Sequence, residues 1–443
     1  MTRDHTLSNV SEKVRSGKFS FEDYLSACLQ RIGDNEERVQ AWVCVNEAVA
    51  HRQAKAMDQA LSSGISLGPL QGIPVAVKDI FDVAGLPTLA GSELRSDHIA
   101  SADAPVVRRL RAAGAIILGK TVTTQFACFD PSVTHNPWNL SHTPGGSSSG
   151  SAAAVALGMS PLALGSQTGG SITRPASYCG VVGFKPTWGT LPGAGIVPVS
   201  YHLDHPGLLA RSVADIKLAF DVLQGYRSPS IGTAPSLSTA QAKPPILGLL
   251  DEYFMETADE QVRQATLAAV ERLRSAGAIV NRLQLPKSFA VVHRNHKVIM
   301  AVEAAEYHAP WFPGRREMYG KHLQALLDMG HSIPATEYAA ALAHQRLFRQ
   351  ELSGVFQQVD FLITPSTSDT APGTLETTGD PRFNSPFSYA GTPTISLPCG
   401  LGGNGMPCSL QIIGPGGKDL KLLEAAQWCE SHLKWNHRPG LCV

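Results

Sequence analysis

Residues 143–154 read Thr143-Pro-Gly-Gly-Ser-Ser-Ser-Gly-Ser-Ala-Ala-Ala154, and residues 165–175 read Gly165-Ser-Gln-Thr-Gly-Gly-Ser-Ile-Thr-Arg-Pro175. Glycine at this density allows positive φ angles and a close approach of the backbone to a ligand. Turns whose backbone N–H groups converge can bind an oxyanion or a phosphate. Neither segment has the Lys of a G-x-x-x-x-G-K-[ST] phosphate loop. A flexible Gly/Ser linker is the alternative, but linkers are not embedded between core elements, so a binding loop is favoured.

A third segment lies upstream and reads Gly72-Ile-Pro-Val-Ala-Val-Lys-Asp79. Lys78 ends an apolar run that is typical of a buried strand. Burial disfavours the charged ammonium, so the pKa of such a lysine falls from about 10.4 toward neutrality. Taken alone, the segment fits equally a lysine that reaches solvent at the strand end or pairs with Asp79. Together with the two Gly/Ser segments it favours a functional, uncharged amine.

The sequence around these segments predicts an α/β fold. Short apolar runs alternate with Ala-rich helical stretches, which is typical of a sheet buried on both faces. We predict a single domain over residues 1–443, with a helical N-terminal region at about 7–62 that includes a helix over Ala41–Leu61. A catalytic core at about 70–221, a helical region at about 245–358 and strands that return toward the C-terminus follow. Residues 227–245 are predicted to form a loop.

Composition excludes several classes of protein. The chain has 443 residues with 37 Lys+Arg and 37 Asp+Glu, so it lacks the basic excess that non-specific nucleic-acid binding requires. No apolar stretch reaches the length of about 20 residues that spans a bilayer, so no membrane partner is expected. Eight cysteines occur without a CxxC pair, which predicts reduced thiols in a cytoplasmic protein rather than a disulfide framework or a zinc site.

Taken together, the three segments resemble the amidase signature family, in which G-[IV]-P-x-x-x-K-D, P-G-G-S-S-x-G-S and T-G-G-S-I follow one another. The resemblance covers nearly the whole chain and is weakest over residues 225–355. It implies a large mixed, twisted sheet covered by helices on both faces. It also implies an amide hydrolase in which Ser171 is the nucleophile, Ser147 follows a cis peptide bond and relays the proton, and neutral Lys78 accepts it. The implied oxyanion hole comprises the backbone of Gln167, Thr168, Gly169 and Gly170. No metal or organic cofactor is expected.

Two departures from the family pattern bear on the substrate. Many members read T-D-T-G-G-S-I-R, whereas here Gln167 replaces the Asp and the Arg follows one position later, as Arg174. This variant is similar to malonamidase, which implies that Arg174 binds a substrate carboxylate. Ser148 and Ser149 are alternatives to Ser147 for the relay, but the spacing favours Ser147, and Ser148 is expected to contribute hydrogen-bond support and to contact the substrate. A planar guanidinium suits a carboxylate, although pairing of Arg174 with a structural carboxylate is the alternative. The expected substrate is a small amide or urea-type compound with a nearby carboxylate, such as malonamate or a carboxylated urea derivative.

Two other functions are compatible with the same motifs. One is the amidase subunit of a tRNA-dependent amidotransferase, which would act on glutamine inside a complex. The other is a non-catalytic binding protein on the same fold, which the presence of all three triad residues disfavours. A homodimer is possible from the resemblance.

The helical region after residue 290 offers further candidate residues. His293 and His296 with Glu303 and Glu306 could be read as a metal cluster, but their spacing fits no zinc pattern and favours a solvated helix face. Pocket walls are expected from about residues 290–350. Candidate lining residues, for which core packing is an equal explanation, are Tyr307, His308, Trp311 and Phe312.

Overall fold

The computed structural model describes residues 7–225 and 243–442, so the loop predicted over residues 227–245 lies almost entirely outside the described residues. The strands are β1 Trp42–Val45, β2 Pro74–Lys78, β3 Ile116–Thr121, β4 Leu162–Gln167, β5 Val182–Lys185, β6 His205–Ala210, β7 Ile246–Leu250, β8 Ile279–Leu283, β9 Phe361–Pro365, β10 Thr394–Leu401 and β11 Pro407–Ile413. The α-helices are α1 Leu7–Arg15, α2 Phe21–Val39, α3 Glu47–Ser62, α4 Pro105–Ala112, α5 Ser149–Ala156, α6 Thr173–Cys179, α7 Val213–Leu223, α8 Glu260–Ser275, α9 Val292–His308, α10 Lys321–Ser332, α11 Ala335–Val355, α12 Ser385–Ala390 and α13 Asp419–Leu433.

The strands form one mixed sheet of eleven strands within the described residues, in the order β1-β3-β2-β4-β6-β5-β10-β11-β9-β7-β8. The group β3-β2-β4 is parallel, as is the group β9-β7-β8. The remaining neighbours are antiparallel. Every region of the chain contributes strands to this sheet, and the predicted mixed α/β fold class is confirmed.

The segment that contains Lys78 lies at the centre of the parallel group β3-β2-β4. Every residue of β2 is buried, because the strand pairs with β3 on one side and with β4 on the other. This explains why its sequence is a continuous apolar run rather than an alternating one. Helix α5 is likewise buried along its whole length and consists of Gly, Ser, Ala and Val. A Cβ at Gly150 would lie 2.2 Å from the carbonyl oxygen of Ala41, so small residues let α5 approach the neighbouring backbone.

The helix predicted over Ala41–Leu61 is wrong at its start. Residues Trp42–Val45 form β1, which pairs antiparallel with β3, and the helix begins only at Glu47. Aromatic and β-branched residues favour this edge strand, whereas the Ala- and Gln-rich composition of the following residues favours the helix. Strands β6 and β8 have no counterpart in the sequence prediction. Pro206 and Gly207 mask the strand pattern of β6, which is fixed instead by pairing with both β4 and β5.

The helices pack against the sheet. The buried residues of α7 and α13, for example, belong to the same hydrophobic core as the strands. In the part of the chain that the structure describes, no helix combines the length and the apolar character needed to cross a membrane.

Candidate active site

The three motif segments meet at one edge of the sheet. Strands β2 and β4 are parallel neighbours, with Val77 opposite Leu164, so their carboxyl ends lie side by side. Lys78 is the last residue of β2, and the second Gly/Ser segment leaves the end of β4. In sheets with parallel strands, ligands bind at the carboxyl ends of the strands. The sheet therefore brings the lysine and the Gly/Ser loops together.

Lys78 is fully buried and directly contacts two hydroxyl groups. Its Nζ atom lies 2.7 Å from Ser147 Oγ and 2.8 Å from Ser166 Oγ. Burial lowers the pKa of Lys78 to about 7, while the charge of Asp204 partly opposes this effect. The side chain neither reaches solvent nor pairs with Asp79, whose carboxylate lies 2.7 Å from Lys120 Nζ. The expected buried amine is thus present, and both alternative interpretations of Lys78 are wrong.

The first Gly/Ser segment presents Ser147 to the lysine. The Gly146–Ser147 peptide bond is cis, as the resemblance implies, and Gly145 has a φ of 79° that favours glycine. Ser148 is fully buried, and its hydroxyl donates to the carbonyl of Ser166 at 3.3 Å. This contact supports the loop, and the predicted role of Ser148 in substrate binding stays a prediction.

Ser171 lies at the wall of a cavity of about 360 Å³. Only 8% of the residue is exposed. Its carbonyl accepts a hydrogen bond from the Ser148 N–H at 3.2 Å, which joins the two Gly/Ser segments through the backbone. Among the hydrogen bonds of residues 7–225 and 243–442, Lys78 and Ser147 are joined directly, whereas none joins the hydroxyls of Ser147 and Ser171.

The loop over residues 168–171 has its carbonyl groups bound and its N–H groups unused. The four carbonyl oxygens, in chain order, accept from His296 Nε2, Ser388 Oγ, Arg174 N and Ser148 N. Within the described ranges, the N–H groups of these four residues donate to no protein acceptor. All four residues line the same cavity. A row of free N–H groups beside a hydroxyl is suited to bind a developing oxyanion.

Gln167 holds this loop against helix α6. Its Oε1 atom accepts from the N–H groups of Ile172 and Thr173 at 2.8 and 2.9 Å, and its Nε2 atom donates to Ser388 Oγ at 3.1 Å. The amide therefore takes both roles, donor and acceptor, where a carboxylate could only accept. Close packing extends to Gly170, where a Cβ would lie 2.6 Å from Asn384 Oδ1.

Arg174 is buried at the edge of the cavity and contacts no carboxylate. Its Nη1 atom donates to Gly379 O at 2.8 Å, and its Nη2 atom donates to Gly146 O at 2.8 Å and to Thr378 Oγ1 at 3.1 Å. Its Nε atom is buried with no acceptor in the described chain. Burial lowers the pKa of Arg174, but an arginine stays charged. The structural ion pair considered as an alternative is thus wrong for the described residues, and the guanidinium donates to the carbonyl oxygen of the cis peptide bond itself.

Further charged groups around the cavity make it electropositive. Arg382 pairs with Asp380, and exposed Lys297 on α9 has no carboxylate partner among the described residues. With Arg174, the lining carries three cationic side chains and one carboxylate. Such a lining favours an anionic ligand.

Helix α9 contributes His293 and His296 to the cavity lining, although the sequence predicts a solvated helix face for these residues. His293 and His296 line the cavity, and His296 is buried with its pKa lowered to about 4 by desolvation. Glu303 is also buried and accepts from Tyr338 OH at 2.7 Å. The predicted solvated helix face is therefore wrong for this side of α9, because the helix packs against the loops that carry the site. No group of three or more His, Cys, Asp or Glu side chains that could hold a metal occurs in the described chain.

The four candidate lining residues of the 290–350 region do not line this cavity. The ring of His308 packs edge-on against Phe126 and Tyr319, and Phe312 also packs on Tyr319. Tyr307 and Trp311 contact the same cluster. Core packing is the correct alternative for His308 and Phe312, which are buried, whereas 39% of Trp311 is exposed.

Sequence reasoning misses several residues of the site. Sequence reasoning does not identify Ser166 as a partner of Lys78. Successive side chains of a strand point to opposite faces of the sheet, so Ser166 and Gln167 of β4 face opposite ways, and this alternation could have placed Ser166 on the side of Lys78. Asp380 and Arg382 come from a loop about 200 residues beyond Arg174, and no local pattern marks them. Cys128, which also lines the cavity, has its pKa raised by burial.

Comparisons with known families, sequences and structures each match nearly the whole chain. The family model described as Amidase matches residues 23–423. The chain is 33% identical to one subunit of the glutamyl-tRNA(Gln) amidotransferase of Alkaliphilus metalliredigens, with 97% of this chain and 96% of that protein covered. It is 35% identical to an amidase of Pseudomonas putida, with 98% and 97% covered. A solved structure described as a vestigial protein complex that reveals the evolutionary origins of an s-triazine catabolic enzyme matches with a TM-score of 0.88 at 32% identity, over 96% of this chain and 98% of that one.

Proposed function

This chain belongs to the amidase family and is a hydrolase of C–N bonds, and from that premise we propose that it cleaves a small amide or urea-type substrate through an acyl-enzyme on Ser171. The observation that carries the proposal is the buried Lys78 amine in contact with Ser147 Oγ, next to a loop with unused N–H groups. A nucleophile, a proton acceptor and an oxyanion site are the three parts that acyl transfer requires.

In the proposed reaction, Ser171 Oγ attacks the substrate carbonyl carbon while its proton passes to Ser147 and the proton of Ser147 passes to Lys78. Lys78 can accept a proton at neutral pH because burial lowers its pKa to about 7. The hydroxyls of Ser147 and Ser171 approach each other when substrate binds, since catalytic hydrogen bonds are often longer in the free enzyme. The proton then passes to the departing nitrogen, the C–N bond breaks, and water hydrolyses the acyl ester by the same route.

The oxyanion of the tetrahedral intermediate binds to the N–H groups of the loop over residues 168–171. Their carbonyls already accept hydrogen bonds from four separate donors, so the peptide planes are fixed before the substrate arrives. Fixed donors need no reorganisation when charge develops on the oxygen, which is the main source of their stabilising effect.

We further propose that the acyl part of the substrate carries a carboxylate near the scissile bond. Support comes from the electropositive lining and from the buried charge of Arg174, which has no carboxylate partner in the described chain. Three of the five N–H donors of Arg174 are already used, which leaves its Nε–H and one Nη1 N–H for the substrate. Malonamate and a carboxylated urea derivative fit this description.

The acyl-enzyme is tested with a fluorophosphonate probe and with ammonia release from a panel of small amides. The wild-type protein should be labelled and should release ammonia, and Ser171→Ala should do neither while remaining folded by circular dichroism. Cys179→Ala is the matched control, since this buried thiol is not part of the proposed chemistry. Labelling of Ser171→Ala at the wild-type rate would contradict the assignment of the nucleophile.

The carboxylate is tested by comparing malonamate with the neutral amide propionamide. Arg174→Ala should lower the kcat for both substrates, because the guanidinium also binds Gly146 O, but it should raise the KM only for malonamate. Lys297→Met removes a cavity charge without touching the triad, and it should raise the KM for malonamate by a smaller factor. Equal changes in KM for the two substrates would contradict the proposal.

A second candidate is supported by the full-length relatives that are glutamyl-tRNA(Gln) amidotransferase subunits. In that case the chain would act on glutamine only with partner proteins bound. Purification from the native host, followed by glutaminase assays with and without co-purified proteins, separates the two functions. Hydrolysis of a free small amide by the isolated chain supports the first, and glutaminase activity that requires a co-purified protein supports the second. A homodimer stays a prediction, and gel filtration of the purified chain tests it.

A further inference from the structure

A second cavity of about 230 Å³ lies behind the candidate site. Thr168 and Val199 line both this cavity and the one that contains Ser171. Ser166, whose hydroxyl contacts Lys78, also lines the second cavity, as does Asp204. The second cavity thus touches both the oxyanion loop, through Thr168, and a hydroxyl that contacts the proton acceptor, through Ser166.

Asp204 is the charged residue in the lining of the second cavity. It lies one residue before β6, and its Oδ1 atom accepts a hydrogen bond of 2.6 Å from Thr168 Oγ1. Its Oδ2 atom accepts from the N–H groups of Val199 and Ser200 at 2.8 and 3.0 Å. A carboxylate bound by three donors has a fixed orientation, so Asp204 fixes the side chain of Thr168 in turn.

The charges around Lys78 give Asp204 a second effect. Among the described residues, Asp204 and Cys128 are the titratable groups whose negative charge would stabilise the Lys78 ammonium. Burial raises the pKa of the Cys128 thiol, so that group is uncharged at neutral pH. Burial raises the pKa of Asp204 to about 6, although the hydrogen bonds that its carboxylate accepts partly oppose this increase. Asp204 is therefore ionised at pH 7 and acts on Lys78 as the remaining anion.

We propose that Asp204 is a positioning residue of this site, whose carboxylate holds Thr168 in the oxyanion loop and keeps Lys78 basic enough to accept a proton. A general base works best when its pKa lies near the pH of the reaction. Without the negative charge, a larger fraction of Lys78 would be neutral at pH 7, but the amine would be a weaker base. This inference rests on the proposed function for its catalytic consequence, but its effect on Lys78 can be measured without any substrate.

The decisive variant is Asp204→Asn, which keeps the shape and removes the charge. Asp215→Asn is the matched control, because Asp215 is also buried, has its pKa raised to about 6 by burial, and accepts a hydrogen bond from the N–H of Leu7 far from the site. A loss of stability from replacing a buried carboxylate would affect both variants. A change in the properties of Lys78 is expected only in Asp204→Asn.

The first measurement is an NMR titration of protein labelled with ¹³Cε-lysine, with the signal of residue 78 assigned from Lys78→Met. The pKa of Lys78 should be lower in Asp204→Asn than in the wild type and unchanged in Asp215→Asn. An unchanged value in Asp204→Asn would overturn the electrostatic role of Asp204, whether or not the protein hydrolyses amides.

The second measurement is the pH dependence of fluorophosphonate labelling of Ser171. Asp204→Asn should shift the acid limb of the profile to lower pH. Thr168→Val, which removes the hydrogen bond but keeps the charge, should slow labelling about tenfold and leave the acid limb nearly in place. Labelling of Thr168→Val at the wild-type rate would overturn the positioning role. Failure of the wild type to react would contradict the proposed function, while the NMR result would still decide the effect of Asp204.

Discussion

Replacement of Lys78 by Met should stabilise the folded protein while it removes activity. The pKa of the buried lysine is about 7, against 10.5 for an ordinary lysine. At pH 7 an exposed lysine is charged, so folding must either release its proton or bury its charge, which costs about 4 kcal/mol. Met has a similar shape and avoids this cost. It leaves the hydroxyls of Ser147 and Ser166 without their partner, at about 1 kcal/mol each, so the net gain is about 2 kcal/mol.

The pH dependence of this gain identifies its cause. A lysine whose pKa is lowered by folding destabilises the protein fully below the folded-state pKa, and the penalty fades as the pH rises toward the unfolded-state value. The stability difference between Lys78→Met and the wild type should therefore be largest at and below pH 7 and should decrease between pH 7 and about 10.5. Urea unfolding at a series of pH values measures it.

Lys185 provides a matched control for this experiment. It is also fully buried with its pKa lowered to about 7 by burial, and its Nζ atom donates to the carbonyl groups of Pro186 and Thr392. Lys185→Met should show the same trend in stability and retain ammonia release. Lys78→Met should lose activity by a factor of about 10³ or more, since a general base and the relay through Ser147 are both lost. Substantial activity of Lys78→Met at pH 7, or a stability difference independent of pH, would show that a buried neutral base is the wrong explanation.

Four further substitutions test the geometry around Ser171. Ser166→Ala removes one of the two hydroxyls at Lys78 Nζ, and it should lower the kcat about tenfold with little change in KM, as steady-state ammonia release will show. Gly170→Ala places a Cβ 2.6 Å from Asn384 Oδ1, so the kcat should fall about 10²-fold; Gly169→Ala, whose Cβ would meet nothing closer than 3.6 Å, should cost less. Gln167→Leu leaves the N–H groups of Ile172 and Thr173 unpaired and should lower the free energy of unfolding in urea by about 2–4 kcal/mol; a change below about 0.5 kcal/mol would speak against this anchoring role.

The elements that the sequence predicts best are those with strong local patterns. The apolar run before Lys78 is β2, and the Ala-rich stretch after residue 148 is α5. The edge strand Trp42–Val45 resembles the start of a helix in sequence, because four residues are too few to show a period. Strand β6 carries a Pro-Gly pair that no local rule assigns to a sheet interior, and only its pairing with β4 and β5 fixes it.

The helical region after residue 290 shows the limit of local patterns most clearly. Its sequence leaves open whether the aromatic residues near position 310 line the pocket or pack in the core, and it suggests that His296 faces solvent. The fold places His296 in the cavity wall instead, because α9 lies against the loop over residues 168–171 and His296 donates to Thr168 O. A helix has several polar positions, and only the packing of the whole chain decides which of them face the site.

The apolar run before Lys78 is a local property and is sufficient to predict a buried strand, whereas the prediction that Lys78 and the two Gly/Ser segments form one site comes from their resemblance to the amidase signature. Local sequence is also sufficient for the α/β class. Only the folded chain shows what surrounds that site. Ser166 contacts Lys78 and the charge of Asp204 acts on it, while Arg174 donates to the carbonyl groups of Gly146 and Gly379. The contact of Arg174 with Gly379 joins positions 205 residues apart. Such contacts depend on how all the strands pair and how the helices pack, and no short stretch of sequence carries that information.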